Sequence, residues 1–267
     1  MARSRRSASS VSPLTPRSSL AFSQARSVNM NNKMTNNTIV AKPLLVVELI
    51  GPAGAGKTTL ARALSQRDEK ILVGADIQLR KMKHILFFIS YAPFLLPVFL
   101  RRFRYGRGFT WEEIKAIAYL KAWPRVLKQE ATHSATVILL DHGPIFKLAT
   151  LNAFGPERLK CQGFEQWWDG MFKQWAFTLD MVIWLDAADT NLVERINTRS
   201  QRHAVKGESE QEAARFLALY RASYEQIMEK LRAYGGPKLL QFDTSQTSID
   251  QIVDEVLVNG PLQISKA

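Results

Sequence analysis

Cysteine is almost missing from this chain. Cys161 is the single copy among 267 residues, so no internal disulfide can form and no cysteine-rich metal site can be assembled. That usage fits a reducing compartment, and a cytoplasmic setting is expected. Acidic residues are missing from the first 43 positions, which hold seven Lys or Arg and many Ser and Asn. Such a composition cannot bury enough apolar surface to offset the entropy of ordering, so residues 1–43 are expected to be a disordered basic tail. An Arg- and Ser-rich, acid-free start is also the composition of an organelle-import segment, and Met30 and Met34 offer later starts. A long hydrophobic run is lacking as well. The nearest approach, Ile85–Leu100, is 16 residues long and carries Pro93 and Pro97. A spanning helix needs about 20 apolar residues without such breaks.

What remains can build a core. Hydrophobic residues make up 46% of the chain, enough for one large domain over residues 44–267. The net charge of +12 is mostly a property of the tail, because residues 44–267 hold 29 basic and 24 acidic residues. Nucleic-acid binding is therefore not expected of the folded part. One local excess stands out. Ile77–Trp111 contains Arg80, Lys81, Lys83, Arg101, Arg102, Arg104 and Arg107 and no acid, a stretch suited to facing an anion.

Residues 44–50 read Leu-Leu-Val-Val-Glu-Leu-Ile, the nearly continuous apolar run of a buried parallel strand. The run enters Gly51-Pro52-Ala53-Gly54-Ala55-Gly56-Lys57-Thr58-Thr59, which is the phosphate-loop spacing of Gly, four residues, Gly-Lys-Thr. Its glycines let backbone N–H groups converge on phosphate oxygens. Lys57 is expected on the β/γ phosphates, and the Thr58 hydroxyl on Mg²⁺. The segment from Leu60 starts a helix whose N-terminal dipole faces the same anion. Strand, loop and helix follow in the order the motif requires, so ATP with Mg²⁺ is expected on residues 51–59.

Apolar runs end in an acid at Asp76, Asp141, Asp186 and Asp243. Helical patterns separate them, which argues for a parallel sheet covered on both faces, with ligands at the carboxyl ends of its strands. Thr110–Glu113, Ser209–Glu212 and Ser248–Gln251 read as capping boxes. Phe216, Tyr220, Tyr224, Ile227 and Leu231 form one apolar stripe, expected to be core. No Asn-Lys-x-Asp guanine motif and no Ser-Gly-Gly-Gln transporter signature occurs.

Two segments beyond the phosphate loop carry a resemblance. Leu140-Asp141-His142-Gly143-Pro144 resembles the strand-three Asp-Arg motif of thymidylate and deoxynucleoside kinases. Trp184-Leu-Asp186 through Glu194-Arg195 to Arg199, Arg202, His203 and Lys206 resembles their fourth strand, helix and lid. The resemblance covers residues 44–258. It implies a three-layer α/β fold, a P-loop NTPase with a five-stranded parallel sheet in the order 2-3-1-4-5. An acceptor-side insert is expected at about 77–133 and a lid at about 199–210. It implies an ATP phosphotransferase in which Asp141 holds Mg²⁺ beside Thr58 or polarises the acceptor, and in which Asp76 takes the acceptor's proton, unless it only caps the helix that begins at Ile77. Arg195, Arg199 and Arg202, at i, i+4 and i+7, would share a helix face and neutralise the transferred phosphoryl group. Thr244 and Ser245 follow the last strand, where the resembled kinases meet adenine through backbone atoms.

His142 departs from the pattern, since the resembled kinases usually carry Arg there. With the apolar stretch 85–100, it leaves a sugar, an antibiotic or a lipid-linked alcohol open as acceptor. A P-loop protein that binds ATP without a small acceptor is the other alternative. The bland reading of 85–100 is a buried pocket wall, and the sharper one a membrane-surface segment.

Overall fold

Five parallel strands set the frame in the computed structural model, which describes residues 44–74, 108–130, 137–160, 163–200 and 203–258. All of them fall within one unit, Lys42–Ala267. The strands are β1 (Leu45–Ile50), β2 (Ile71–Gly74), β3 (Val137–Asp141), β4 (Met181–Asp186) and β5 (Lys238–Asp243). They lie side by side in the order β2-β3-β1-β4-β5. The expected sheet order is the observed one. The basic tail, Asp76, the stretch 85–100 and Arg202 lie outside the described residues.

Burial on both faces explains the strand composition. Val46, Ile50, Ile138, Leu140, Val182 and Trp184 point to one side. There they meet α2 (Trp111–Glu130), α3 (Pro144–Phe154), α4 (Glu165–Ala176) and the C-terminal half of α6 (Glu210–Ala233). Val47, Leu49, Val137, Leu139, Met181, Ile183 and Leu185 point to the other side. Their partners are α1 (Lys57–Arg67), α5 (Asp189–Thr198), the start of α6 and α7 (Ile249–Val258). Side chains alternate across a pleated strand, so a strand apolar at nearly every position needs a layer on each face. None of the described helices is long and apolar enough to cross a membrane.

Helix starts follow the expected chemistry. Ser209 and Glu212 cap each other reciprocally at the start of α6. Thr110 with Glu113 does the same before α2, and Ser248 with Gln251 before α7. These side chains satisfy N–H groups that a helix start leaves unpaired.

Leu139 on β3 is fully buried. Leu139→Ala is expected to cost about 2–5 kcal/mol of stability through lost transfer energy and a residual cavity. Urea unfolding of the two chains measures it. A cost near zero would mean that the two faces of the sheet are not packed as described.

Candidate functional site

Parallel pairing puts the carboxyl ends of all five strands on one edge, and β1 leaves that edge directly into the loop Gly51–Gly56. Gly51 has φ 136°, and a Cβ there would lie 1.9 Å from the Leu185 carbonyl oxygen. Only glycine lets the chain turn this close to β4. Helix α1 then begins at Lys57 with Gly56 as its N-cap and no capping side chain. Its first N–H groups are left facing the loop's hollow.

Lys57 is buried, and its ammonium donates to the carbonyl oxygens of Gly51 at 2.8 Å and Pro52 at 2.9 Å. Burial pushes it down to about 8. The Asp141 charge opposes that shift and the Arg199 charge adds to it. Burial, then Arg199 and Lys57, likewise push the His203 imidazole below its ordinary value. The three groups converge on a cleft of about 810 Å³. Among the described residues its lining includes Lys57, Arg195 and Arg199 and no carboxylate. A hollow walled by cations and helix-start amides is suited to a polyanion.

The two flanks of the cleft differ because β3 and β5 lie on opposite sides of β1 in the sheet. The β5 flank is polar, with Thr244, Thr247 and Ser248. There Arg195 donates to Thr244 Oγ1 at 2.9 Å, to the Thr244 carbonyl at 3.0 Å and to the Gly54 carbonyl at 3.3 Å. Its guanidinium ties the phosphate loop to the loop after β5. The β3 flank is aromatic. Phe146 and Tyr220 stack with ring centroids 6.3 Å apart, and Phe216 packs 5.1 Å from Tyr220. These three rings are half-buried and line the cleft. The apolar stripe of α6 is thus core only in its C-terminal part, where Tyr224, Ile227 and Leu231 are buried. The helical period marks a face, but it does not say where along the helix the packing partner ends.

The expected arginine face needs correction. Helix α5 ends at Thr198, and Arg199 takes an extended backbone, φ −76° and ψ 153°. Arg195 and Arg199 therefore reach the cleft from a helix end and a loop, not from one helix face. The Arg199 Nε is buried and makes no hydrogen bond. Asp186 is a structural anchor. It receives Arg221 through both carboxylate oxygens at 2.8 to 3.1 Å, while Arg221 also reaches Asp189 at 2.6 Å.

Thr58 Oγ1 donates to Asp141 Oδ2 at 2.7 Å, so helix α1 and strand β3 bring the two expected metal-holding oxygens together. The second oxygen, Asp141 Oδ1, is buried without a hydrogen bond, and His142 Nδ1 lies 3.5 Å away. A buried carboxylate oxygen without a donor beside a hydroxyl is a hard-oxygen pair of the kind Mg²⁺ takes, with water and phosphate completing its shell. The two residues fit that ion. Among the described residues no group of three or more His, Cys, Asp or Glu forms a closed metal site. His142 itself has φ 60°, a left-handed backbone that few non-glycine residues adopt.

Glu48 was not singled out by sequence, although a lone acid inside an apolar strand is the signal that could have found it. It is fully buried in β1 and accepts from the Ile145 N–H at 2.8 Å and the Phe146 N–H at 3.0 Å. Burial pushes its carboxyl from 4.5 up to about 8, outweighing the pull of those two N–H groups and of Lys147. The folded chain thus holds a proton there at pH values where an unfolded glutamate has lost it. Stability should fall as pH rises from 4.5 through about 8. Urea melts across that window are expected to show the slope in the unmodified chain and a flatter one in Glu48→Gln. Equal slopes would mean that Glu48 does not titrate in this way.

A family model described as an AAA domain matches residues 46–227. No curated protein matches the chain. Among solved structures, a deoxyadenosine kinase from M. mycoides with dCMP and a flexible dCDP bound is 17% identical, with a TM-score of 0.49 over 82% of this chain and 100% of that one. The YorR protein from Bacillus subtilis, in complex with phosphorylated GDP, is 16% identical, with a TM-score of 0.45 over 82% and 96%. A thymidylate kinase from Candida albicans is 14% identical, with a TM-score of 0.44 over 80% and 89%.

Proposed function

The chain belongs to the AAA domain family of P-loop proteins, and on that premise we propose that it is an ATP-dependent phosphotransferase of the nucleotide/nucleoside kinase type. The observation that carries the reading is the cleft over the phosphate loop, lined by Lys57, Arg195, Arg199 and Thr58, whose hydroxyl donates to Asp141 at 2.7 Å. The triphosphate lies on residues 51–59. Lys57 and Arg199 offset charge on the transferred group, and Arg195 steadies the loop on the donor-base flank. Thr58 and Asp141 hold Mg²⁺, which screens the phosphate charge when bound. In the reaction an acceptor oxygen bonds to the γ-phosphorus as the bond to the β,γ-bridging oxygen breaks. Asp76 is assigned to receive the acceptor's proton. Catalysis of this kind is mostly positioning and electrostatics, which suits a site built from fixed cations.

The acceptor enters on the β3 flank. Phe146, Phe216 and Tyr220 there favour an acceptor that presents a flat or apolar surface to the rings. His142, standing where the resembled kinases usually carry Arg, favours the second reading, a kinase for a non-nucleotide acceptor.

The test is ADP release followed with ³¹P NMR. ATP·Mg²⁺ is offered with nucleosides, nucleoside monophosphates, sugars, aminoglycosides and polyprenols in turn. One acceptor class is expected to stimulate ADP release, and Lys57→Ala is expected to lose at least about 100-fold of it with circular dichroism unchanged. Full turnover in Lys57→Ala would overturn the mechanism. ATP binding with no acceptor-stimulated release would favour a P-loop protein without a small acceptor.

A further inference from the structure

We infer that Glu48 is a positioning residue for the nucleotide site, holding the Asp141–His142–Gly143 turn so that Asp141 meets Thr58. The inference rests on the proposed Mg²⁺-nucleotide reading of that pair. Helix α3 begins at Pro144 with Gly143 as its N-cap, and Gly143 offers no side chain to cap it. The cap comes instead from a different strand. Glu48 Oε2 accepts from the Ile145 N–H and Oε1 from the Phe146 N–H, both in the first turn of α3. A carboxyl group on first-turn amides satisfies donors that otherwise have none.

The fit leaves no slack. A Cβ at Gly143 would lie 2.8 Å from Glu48 Cδ and 3.0 Å from its Oε1, so the turn passes directly over the carboxylate. His142, one residue before, is held at φ 60°. Asp141, one residue earlier still, pairs in register with Leu49, the neighbour of Glu48 on β1. Strand β1 therefore fastens both halves of the oxygen pair. Its end carries the loop that leads to Thr58, and its middle carries the carboxyl group that sets the turn after Asp141. With the first turn of α3 released, Asp141 keeps its strand pairing but loses the anchor on its far side. Groups that support a metal ligand in this way typically change metal affinity by about 10- to 100-fold when removed.

The test reads binding of a fluorescent ATP analogue, first without Mg²⁺ and then as Mg²⁺ is titrated. Glu48→Ala is expected to leave metal-free affinity within about 2-fold and to raise the Mg²⁺ concentration for half-maximal tightening by roughly 10-fold. Glu48→Gln keeps one acceptor oxygen and should give a smaller rise, and it serves if Glu48→Ala does not fold. In an Asp141→Asn background the Glu48 substitution should add almost nothing, because the two act through one ligand. A general loosening of the fold would lower the melting temperature but would not produce that non-additivity. An unchanged Mg²⁺ midpoint in both Glu48 variants, or full additivity with Asp141→Asn, overturns the positioning role alone. Absence of any Mg²⁺ effect in the unmodified chain overturns the metal reading of Asp141 and this inference with it.

Discussion

Strand β1 is paired on both sides, with β3 and with β4, and every other part of the site is referred to it. Because the pairings are parallel, their registers fix how far each strand reaches at the carboxyl edge. Leu49 lies against Asp141, and Ile50 against Trp184. The chain can then leave β1 only through a residue without a Cβ, since the β4 backbone at Leu185 blocks anything larger than Gly51. That single exclusion turns a strand into a loop, aims the loop at the start of α1, and delivers Lys57 and Thr58 to the edge where Asp141 already stands.

Charge is distributed to match. Lys57 gives up water to sit on the Gly51 and Pro52 carbonyls, and two hydrogen bonds do not fully replace its hydration. Its depressed ionisation expresses that cost. Arg199 lies within electrostatic reach and adds to that cost, which the Asp141 charge only partly offsets. Such a site is under tension until an anion arrives. Arg195 behaves differently, since Thr244 and Gly54 already occupy its guanidinium. Away from these cations, Arg221 bridges Asp186 and Asp189. Positively charged side chains are concentrated where phosphate would lie.

The sheet was legible in the sequence because strands buried on both faces must be apolar at nearly every position. Those runs are hard to confuse with amphipathic helices when glycines and capping boxes bound them. The phosphate loop was legible because its glycines answer backbone demands that no other residue meets. Arg195 and Arg199 were readable as residue types but not as geometry, since the spacing i, i+4 promises one face only while the helix lasts, and α5 stops at Thr198. Phe216 and Tyr220 were read as core because periodicity is the same for a ring facing a helix and a ring facing a cavity. Glu48 escaped because its partners are backbone amides 97 and 98 residues away. A backbone donor carries no side-chain signature, so nothing in the sequence marks Ile145 and Phe146 as recipients.

The most direct measurement is a crystal structure with a non-hydrolysable ATP analogue and Mg²⁺. The account predicts the triphosphate in the hollow of residues 51–59. Lys57 Nζ should have left the Gly51 and Pro52 carbonyls for phosphate oxygens, with a cation between Thr58 Oγ1 and the Asp141 carboxylate. A nucleotide bound elsewhere, or a bound nucleotide with Lys57 still on its own carbonyls and Thr58 still on Asp141, would contradict it.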